Sequence, residues 1–315
     1  MRDAFAKQLY ELAKKDKNIF FITGDLGFGV FDKFAKDFPK QYLNVGVAEQ
    51  NMIGVATGLG LEGKKVFAYS IGNFATIRCL EQIRNDAAYH NVNLTIVSSG
   101  GGFTYGSLGM SHHATEDIAI MRSIPNITVL VPSTAWETMK ATKKLASVKS
   151  VCYLRIEKGG LKKPPFKNSR FEIGKSILYN NGNDITFVVA GGIIKENLEA
   201  VKKLKNEGIS SRVISMHTIK PLDELAIKKA ARDTGIIISI EEHNCNGGLG
   251  GAIAEVLAKS NLDCLFDMIA IDNKFSSVVG DQSYLRKIYK INSDSIYKKS
   301  IKLLRARACS AKKNI

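Results

Sequence analysis

The chain is punctuated by short apolar runs that barely alternate, and few folds accept such runs. IFFITGD (Ile19–Asp25), YLNVGV (Tyr42–Val47), KVFAYSI (Lys65–Ile71), NLTIVSS (Asn93–Ser99) and ITVLVPS (Ile127–Ser133) are strand-length segments. Helix-like stretches stand between them, at Arg2–Lys15, Gln50–Gly60, Thr76–Tyr89 and Thr134–Ala146. A strand with one wet face alternates apolar and polar residues, whereas one covered on both faces does not. The pattern therefore predicts an α/β fold with a parallel sheet, and ligands at the carboxyl ends of its strands.

The rhythm breaks at KGGLKKPPFKNSRF (Lys158–Phe171), whose glycines, prolines and lysines suit neither a helix nor a central strand. It resumes with ITFVVAG (Ile185–Gly191), SRVISM (Ser211–Met216), GIIISIEE (Gly235–Glu242), a helix from Gly250 and a strand near Phe266–Ile271. Two domains are expected in 315 residues, over 1–165 and 172–305, followed by a basic tail at 306–315.

Net charge is +15, and from Arg286 onward ten Lys/Arg face Asp294 alone. Such an excess suits nucleic acid, acidic membranes, acidic partners or anionic substrates. No zinc-finger spacing, aromatic RNA-binding signature or heptad accompanies it, so neither nucleic acid nor membrane is expected as a partner, and a solvated helix face with a frayed end is the simpler account. No run approaches the roughly 18 apolar residues of a membrane span. The five cysteines are scattered and fit neither a disulfide framework nor a zinc site, which points to the cytoplasm.

Two segments carry chemistry-bearing residues. In VGVAEQNMIGVATGLG (Val45–Gly60), Glu49 stands at a strand–helix junction, before small residues (Gly54, Ala56, Gly58, Gly60) that permit close approach. A carboxylate among apolar neighbours is expected to hold or share a proton, although the same placement suits an acid satisfying free N–H groups at a helix start. In GGGFTYGSLGMSHHATEDIAIMRSIPN (Gly100–Asn126), a glycine-rich loop leads to His112 and His113 and then to an acidic helix start. Adjacent histidines on extended chain point to opposite sides and cannot share one metal.

These segments, with RDAFAKQLYELA, GDLG, FATIRCLEQIRND, VLVPS, MHTIKPLD and EEHNCNGGLGGAIAEVL, resemble the transketolase family. The resemblance runs from Arg2 to about Leu304 and is closest to the C-terminal subunit of split transketolases, a pyrimidine-binding domain followed by the family's smaller, mixed-sheet C-terminal domain. It implies thiamine diphosphate chemistry: Glu49 hydrogen-bonds the aminopyrimidine, whose 4′-nitrogen takes the thiazolium C2 proton, and the cofactor then serves as an electron sink. It further implies that Phe74 stacks on the pyrimidine, Asp25 lies by the cofactor cleft, His112 (with His113 beside it) contacts the donor, and Arg2 and Arg155 hold a sugar phosphate. GGLGGAIAEVL is read as packing, and Glu241, Glu242 and His243 as strand-end surface or interface groups.

Departures from the pattern are as informative. Positions where the family carries a donor-loop histidine, an aspartate selecting the donor hydroxyl, and a phosphate-contacting serine hold Gly100, Leu108 and Gly29. An apolar Leu108 leaves a donor hydroxyl without a partner, worth on the order of 1–3 kcal/mol, and implies a non-standard donor or acceptor. The Gly-Asp-Gly segment that holds the diphosphate and Mg²⁺ is missing, so the resemblance implies an obligate partner carrying that domain, in a heterotetramer. Open alternatives are an acyloin synthase like deoxyxylulose-phosphate synthase, a 2-oxoacid dehydrogenase β subunit, and an inactive assembly or regulatory subunit.

Overall fold

A computed structural model describes residues 1–313 apart from Gly159 and Lys167, with side chains through Cys309. The first half runs α1 (Arg2–Ala13), β1 (Ile19–Thr23), α2 (Asp32–Asp37), β2 (Tyr42–Asn44), α3 (Glu49–Leu61), β3 (Lys65–Ile71), α4 (Leu80–Gln82), β4 (Leu94–Ser99), α5 (Asp117–Ser123), β5 (Ile127–Leu130), α6 (Ala135–Leu145) and β6 (Val151–Ile156). The second half runs β7 (Ile177–Asn180), β8 (Ile185–Ala190), α7 (Ile194–Asn206), β9 (Ser211–Ser215), β10 (Thr218–Lys220), α8 (Glu224–Thr234), β11 (Ile236–Asn244), α9 (Leu249–Ala258), β12 (Leu265–Ile271), α10 (Gln282–Ile288) and α11 (Ser293–Lys313).

Two sheets result, as the apolar runs require. The larger has the order β10-β5-β6-β4-β3-β1-β2 and the smaller β12-β11-β8-β9-β7. Every pairing is parallel except β10 with β5 and β7 with β9. All residues of β4, β6, β8 and β11 are buried, which explains their lack of alternation.

Three details depart from the sequence reading. The stretch Thr76–Tyr89 is not one helix but a 3₁₀ turn (Ile77–Cys79), α4 and a π-helical turn (Ile83–Ala88), which keeps Ile83 and Ala87 in the core while Arg78 reaches outward. The basic residues from 306 to 313 continue α11 rather than forming a separate tail. Finally, β10 comes from the second half of the chain yet closes the edge of the first sheet. Among the described residues no helix is long and apolar enough to cross a membrane.

A buried carboxyl reinforces that stitch. Glu137 of α6 accepts hydrogen bonds from Ser133 N (2.6 Å), Tyr179 Oη of β7 (2.8 Å) and Ser215 Oγ of β9 (3.2 Å). Burial pushes its pKa from 4.5 up to about 7. The folded state thus holds this proton more tightly than the unfolded chain, so the contribution is complete below pH 4.5 and is lost as pH rises through 7. The shift corresponds to about 3 kcal/mol. Glu137→Gln is expected to flatten the pH dependence of stability between pH 5 and 7.5 relative to wild type, as measured by urea unfolding; parallel profiles would refute the assignment.

Candidate active site

The carboxyl ends of β1, β3 and β4 deliver one group of side chains. Glu49 opens α3 just beyond β2 and is buried. Its Oε1 accepts a hydrogen bond from Ser70 Oγ of β3 at 3.1 Å. Its Oε2 accepts one from Arg78 Nη1 at 2.9 Å. The Arg78 guanidinium also lies 4.2 Å from the centre of the Phe74 ring. His112 meets the same ring edge-on at 5.1 Å. Glu49, Arg78, Phe74 and His112 therefore form one continuous chain of contacts. Glu49 does not sit among apolar groups alone, because a serine and an arginine hold its two oxygens.

The two histidines part where a 3₁₀ turn (Met110–His112) ends and the chain extends at His113, not on extended chain as the sequence suggests. His112 is partly exposed, lies 3.0 Å from Ser111 Oγ through Nδ1, and titrates below its ordinary value because of burial and then the nearby His113 and Arg78. His113 is buried, with Nε2 3.2 Å from Gly106 O and its ring against Phe103. Asn73 Nδ2 donates to His113 O at 2.5 Å and ties the loop to the end of β3. His112 thus keeps an exposed edge, while His113 turns inward, away from the open side where a substrate contact was expected, with its buried Nδ1 lacking a hydrogen-bond partner.

Asp25 follows β1 with a left-handed backbone (φ 60°), an arrangement unfavourable for a residue with a Cβ. Asn44 compensates: its Oδ1 accepts from Asp25 N and its Nδ2 donates to Asp25 Oδ1, both at 2.9 Å. Gly24 beside it lies against Glu49, where an added Cβ would make ordinary contact, 3.4 Å, with Glu49 Cγ.

Two family models match the chain, the transketolase pyrimidine-binding domain over residues 1–163 and the transketolase C-terminal domain over 174–296. The chain belongs to the transketolase family. It is 40% identical over 302 residues to a Methanocaldococcus jannaschii protein named for a transketolase C-terminal section, covering 95% of this chain and 94% of that one. It is 38% identical over 262 residues to a subunit of the apulose-4-phosphate transketolase of Phocaeicola vulgatus, covering 82% and 84%. A solved structure of a split gene transketolase, described as an inactive beta4 tetramer, superposes with a TM-score of 0.89 at 35% identity, over 96% of this chain and 98% of that one. Against transketolases of full length, such as the human enzyme, the chain matches only 42% of the relative.

Not every transketolase-like position expected from the sequence joins the site. Arg155 is fully buried: its Nε donates to Asp117 Oδ2 at 2.8 Å, and its Nη2 to Ala114 O and Glu242 O, both at 2.9 Å. It holds the fold together rather than standing open to a sugar phosphate, although its Nη1 has no hydrogen-bond partner and lies 3.9 Å from Glu157. Arg2 stands at the start of α1, with Nε buried without a hydrogen bond and 3.7 Å from Asp3. Gly100 is explained by Tyr105, whose ring would lie 2.2 Å from a Cβ there, so a histidine does not fit this loop. Leu108 is exposed on the loop before His112, and Gly29 has open space beside it.

Sequence reading missed Arg78 and Lys158. Arg78 stands four residues after Phe74 within the family-like FATIR segment, and it is the turn leading into Ile77–Cys79, not a helical face, that brings it over the ring. Lys158, exposed just past β6, lies with Nζ 4.6 Å over the Tyr105 ring.

Removing one partner of a buried ion pair leaves the other uncompensated, at about 3–5 kcal/mol. Arg155→Met is therefore expected to lose about that much stability in denaturant titration with no substrate present. Unchanged stability would restore a ligand-binding role to Arg155.

Proposed function

We propose that this chain is the pyrimidine-binding subunit of a split, thiamine diphosphate-dependent transferase that moves a two-carbon ketol unit between sugars. The observation that carries the reading is the pairing of Glu49 Oε2 and the Phe74 ring on one planar cation. The Arg78 guanidinium is flat, donates an N–H to the carboxylate and lies by the aromatic ring, so its contacting atoms stand in for those of an aminopyrimidine. A ring with an N–H donor fits the same two contacts once the arginine withdraws.

When bound, thiamine diphosphate supplies an acidic carbon and an electron sink for carbon–carbon cleavage. Glu49 Oε1 is already taken by Ser70, so Oε2 is the oxygen that holds and releases the proton. Phe74 orients the ring. His112, with its pKa below the ordinary range, is neutral near pH 7 and serves donor oxygens as donor or acceptor.

The diphosphate and its Mg²⁺ fall to a partner subunit. Among the described residues no cluster of three or more His, Cys, Asp or Glu is placed to hold a metal ion. Exposed apolar residues stand beside the site residues in sequence: Phe28 near Asp25, Val47 near Glu49, Ile77 next to Arg78, and Leu108 and Met110 before His112. Exposed apolar side chains at these positions suit a protein interface. Gly54 and Gly58 of α3 also face open space.

The substrate reading is a phosphorylated or otherwise anionic sugar. With Arg155 buried, Arg2 and Lys158 are the cations left for the anion. The exposed apolar Leu108 favours a donor other than the ordinary ketose phosphates.

In a complex reconstituted with the diphosphate-domain subunit, Glu49→Gln is expected to slow exchange of the cofactor C2 proton by a factor of about 10²–10⁴, read by NMR. Unaltered exchange would end this reading. Arg2→Ala combined with Lys158→Ala is expected to raise KM about tenfold for phosphorylated substrates and little for unphosphorylated ones, a difference of about 1.4 kcal/mol. An equal rise for both classes would remove the anion role.

A further inference from the structure

The loop that presents His112 is fastened from the other domain. Glu242, in β11, is buried and sends its carboxylate toward the start of that loop. Its Oε1 accepts from Phe103 N at 2.5 Å and from Gln282 Nε2 at 2.9 Å. Its Oε2 accepts from Arg286 Nε at 2.5 Å. Arg286 in turn lies 3.7 Å from both Glu157 and Glu196, and Glu157 caps Gly192 N at 3.0 Å.

Two glycines open the way. A Cβ on Gly102 would sit 2.5 Å from Glu242 Oε1, and one on Gly101 would sit 2.4 Å from Arg155 Nε. The loop is thus threaded between a buried carboxylate and a buried guanidinium. The contacts continue toward His112: Phe103 stacks on Tyr289 and meets His113, Gly280 N donates to Gly106 O at 3.3 Å, and Gly106 packs against Leu285. The reading of Glu242 as a strand-end surface group is corrected by this burial. Glu241 beside it is buried too, and accepts from the first N–H groups of α9, leaving no vacancy there for a ligand.

We propose that Glu242, held by Arg286, is a positioning residue that sets the loop carrying His112 and thereby donor recognition. The proposal rests on the transferase reading, and it gives the C-terminal domain a part in substrate selection besides assembly. The side-chain hydrogen bonds of Glu242 run to Phe103, Gln282 and Arg286, and those of Glu49 to Ser70 and Arg78, so cofactor activation and donor binding separate in a test.

The test compares wild type with Glu242→Ala and Glu242→Gln. Amide hydrogen exchange of this chain is expected to speed up at least tenfold over Gly101–Met110 in Glu242→Ala and less in Glu242→Gln, which keeps one acceptor for Phe103 N–H. Exchange over β3 and α3 stays as in wild type. In the reconstituted complex, the donor KM is expected to rise at least tenfold while C2 proton exchange stays within twofold. Unchanged loop protection, or equal losses in donor KM and C2 proton exchange, overturns the proposal. If Glu242→Ala does not fold, Gly102→Ala drives the same contact apart from the loop side and carries the same expectations. Absence of C2 proton exchange in the wild-type complex would count against the transferase reading alone, since loop protection still decides the clamp.

Discussion

The molecule turns on one buried guanidinium. Arg155 leaves water entirely, a step that costs several kcal/mol per ion unless the charge is matched and every donor is placed well. Asp117 matches it, the Nη2 of Arg155 reaches backbone oxygens of the loop at Ala114 and of β11 at Glu242, and Nη1 makes no hydrogen bond but lies 3.9 Å from Glu157. Asp117 is shared with Tyr153 Oη at 2.6 Å. One side chain therefore joins β6, the His112 loop, α5 and the second domain. An apolar residue of similar volume would fill the space without fixing the relative placement of these four elements, so the pair acts as a register device as well as a source of stability.

Much of the fold was legible because burial on both faces leaves an unmistakable imprint. The runs at Ile19, Lys65, Asn93, Ile185 and Gly235 are strands for the reason their composition announces. Two features escaped. VCYLRI reads as a strand only when its cation is known to be buried, since Arg155 interrupts the apolar pattern. β10 is three residues long, and its place on the first sheet depends on a pairing across nearly ninety residues with β5. Local composition carries no record of such a contact.

Residues of the site divide along the same line. Glu49, Phe74 and His112 lie in segments whose order and spacing are family-like, and the fold brings them together. Arg155 and His113 share that spacing, yet each turns inward. His112 ends a 3₁₀ turn and His113 begins extended chain, and their partners differ accordingly: Gly106 and Phe103 enclose His113, whereas His112 meets Phe74 and stays partly exposed. Gly100 to Gly102 read as flexible punctuation in sequence. In the fold each is fixed by what presses on it: Tyr105, Arg155 and Glu242.

The ion pair at Glu49 unites these observations. A buried carboxylate facing an aromatic wall is an uncompensated charge unless something cationic or protonated meets it. Arg78 meets it from the surface, with 45% of its own side chain exposed against 1% for Glu49. Such a guanidinium returns to water at little cost, whereas the carboxylate has nowhere to go. The asymmetry makes the arginine the displaceable member and Glu49 the permanent one. Glu49 is therefore a fixed acid whose present counter-ion is flat, cationic and displaceable, and the proposal that a planar ring takes its place starts from those properties.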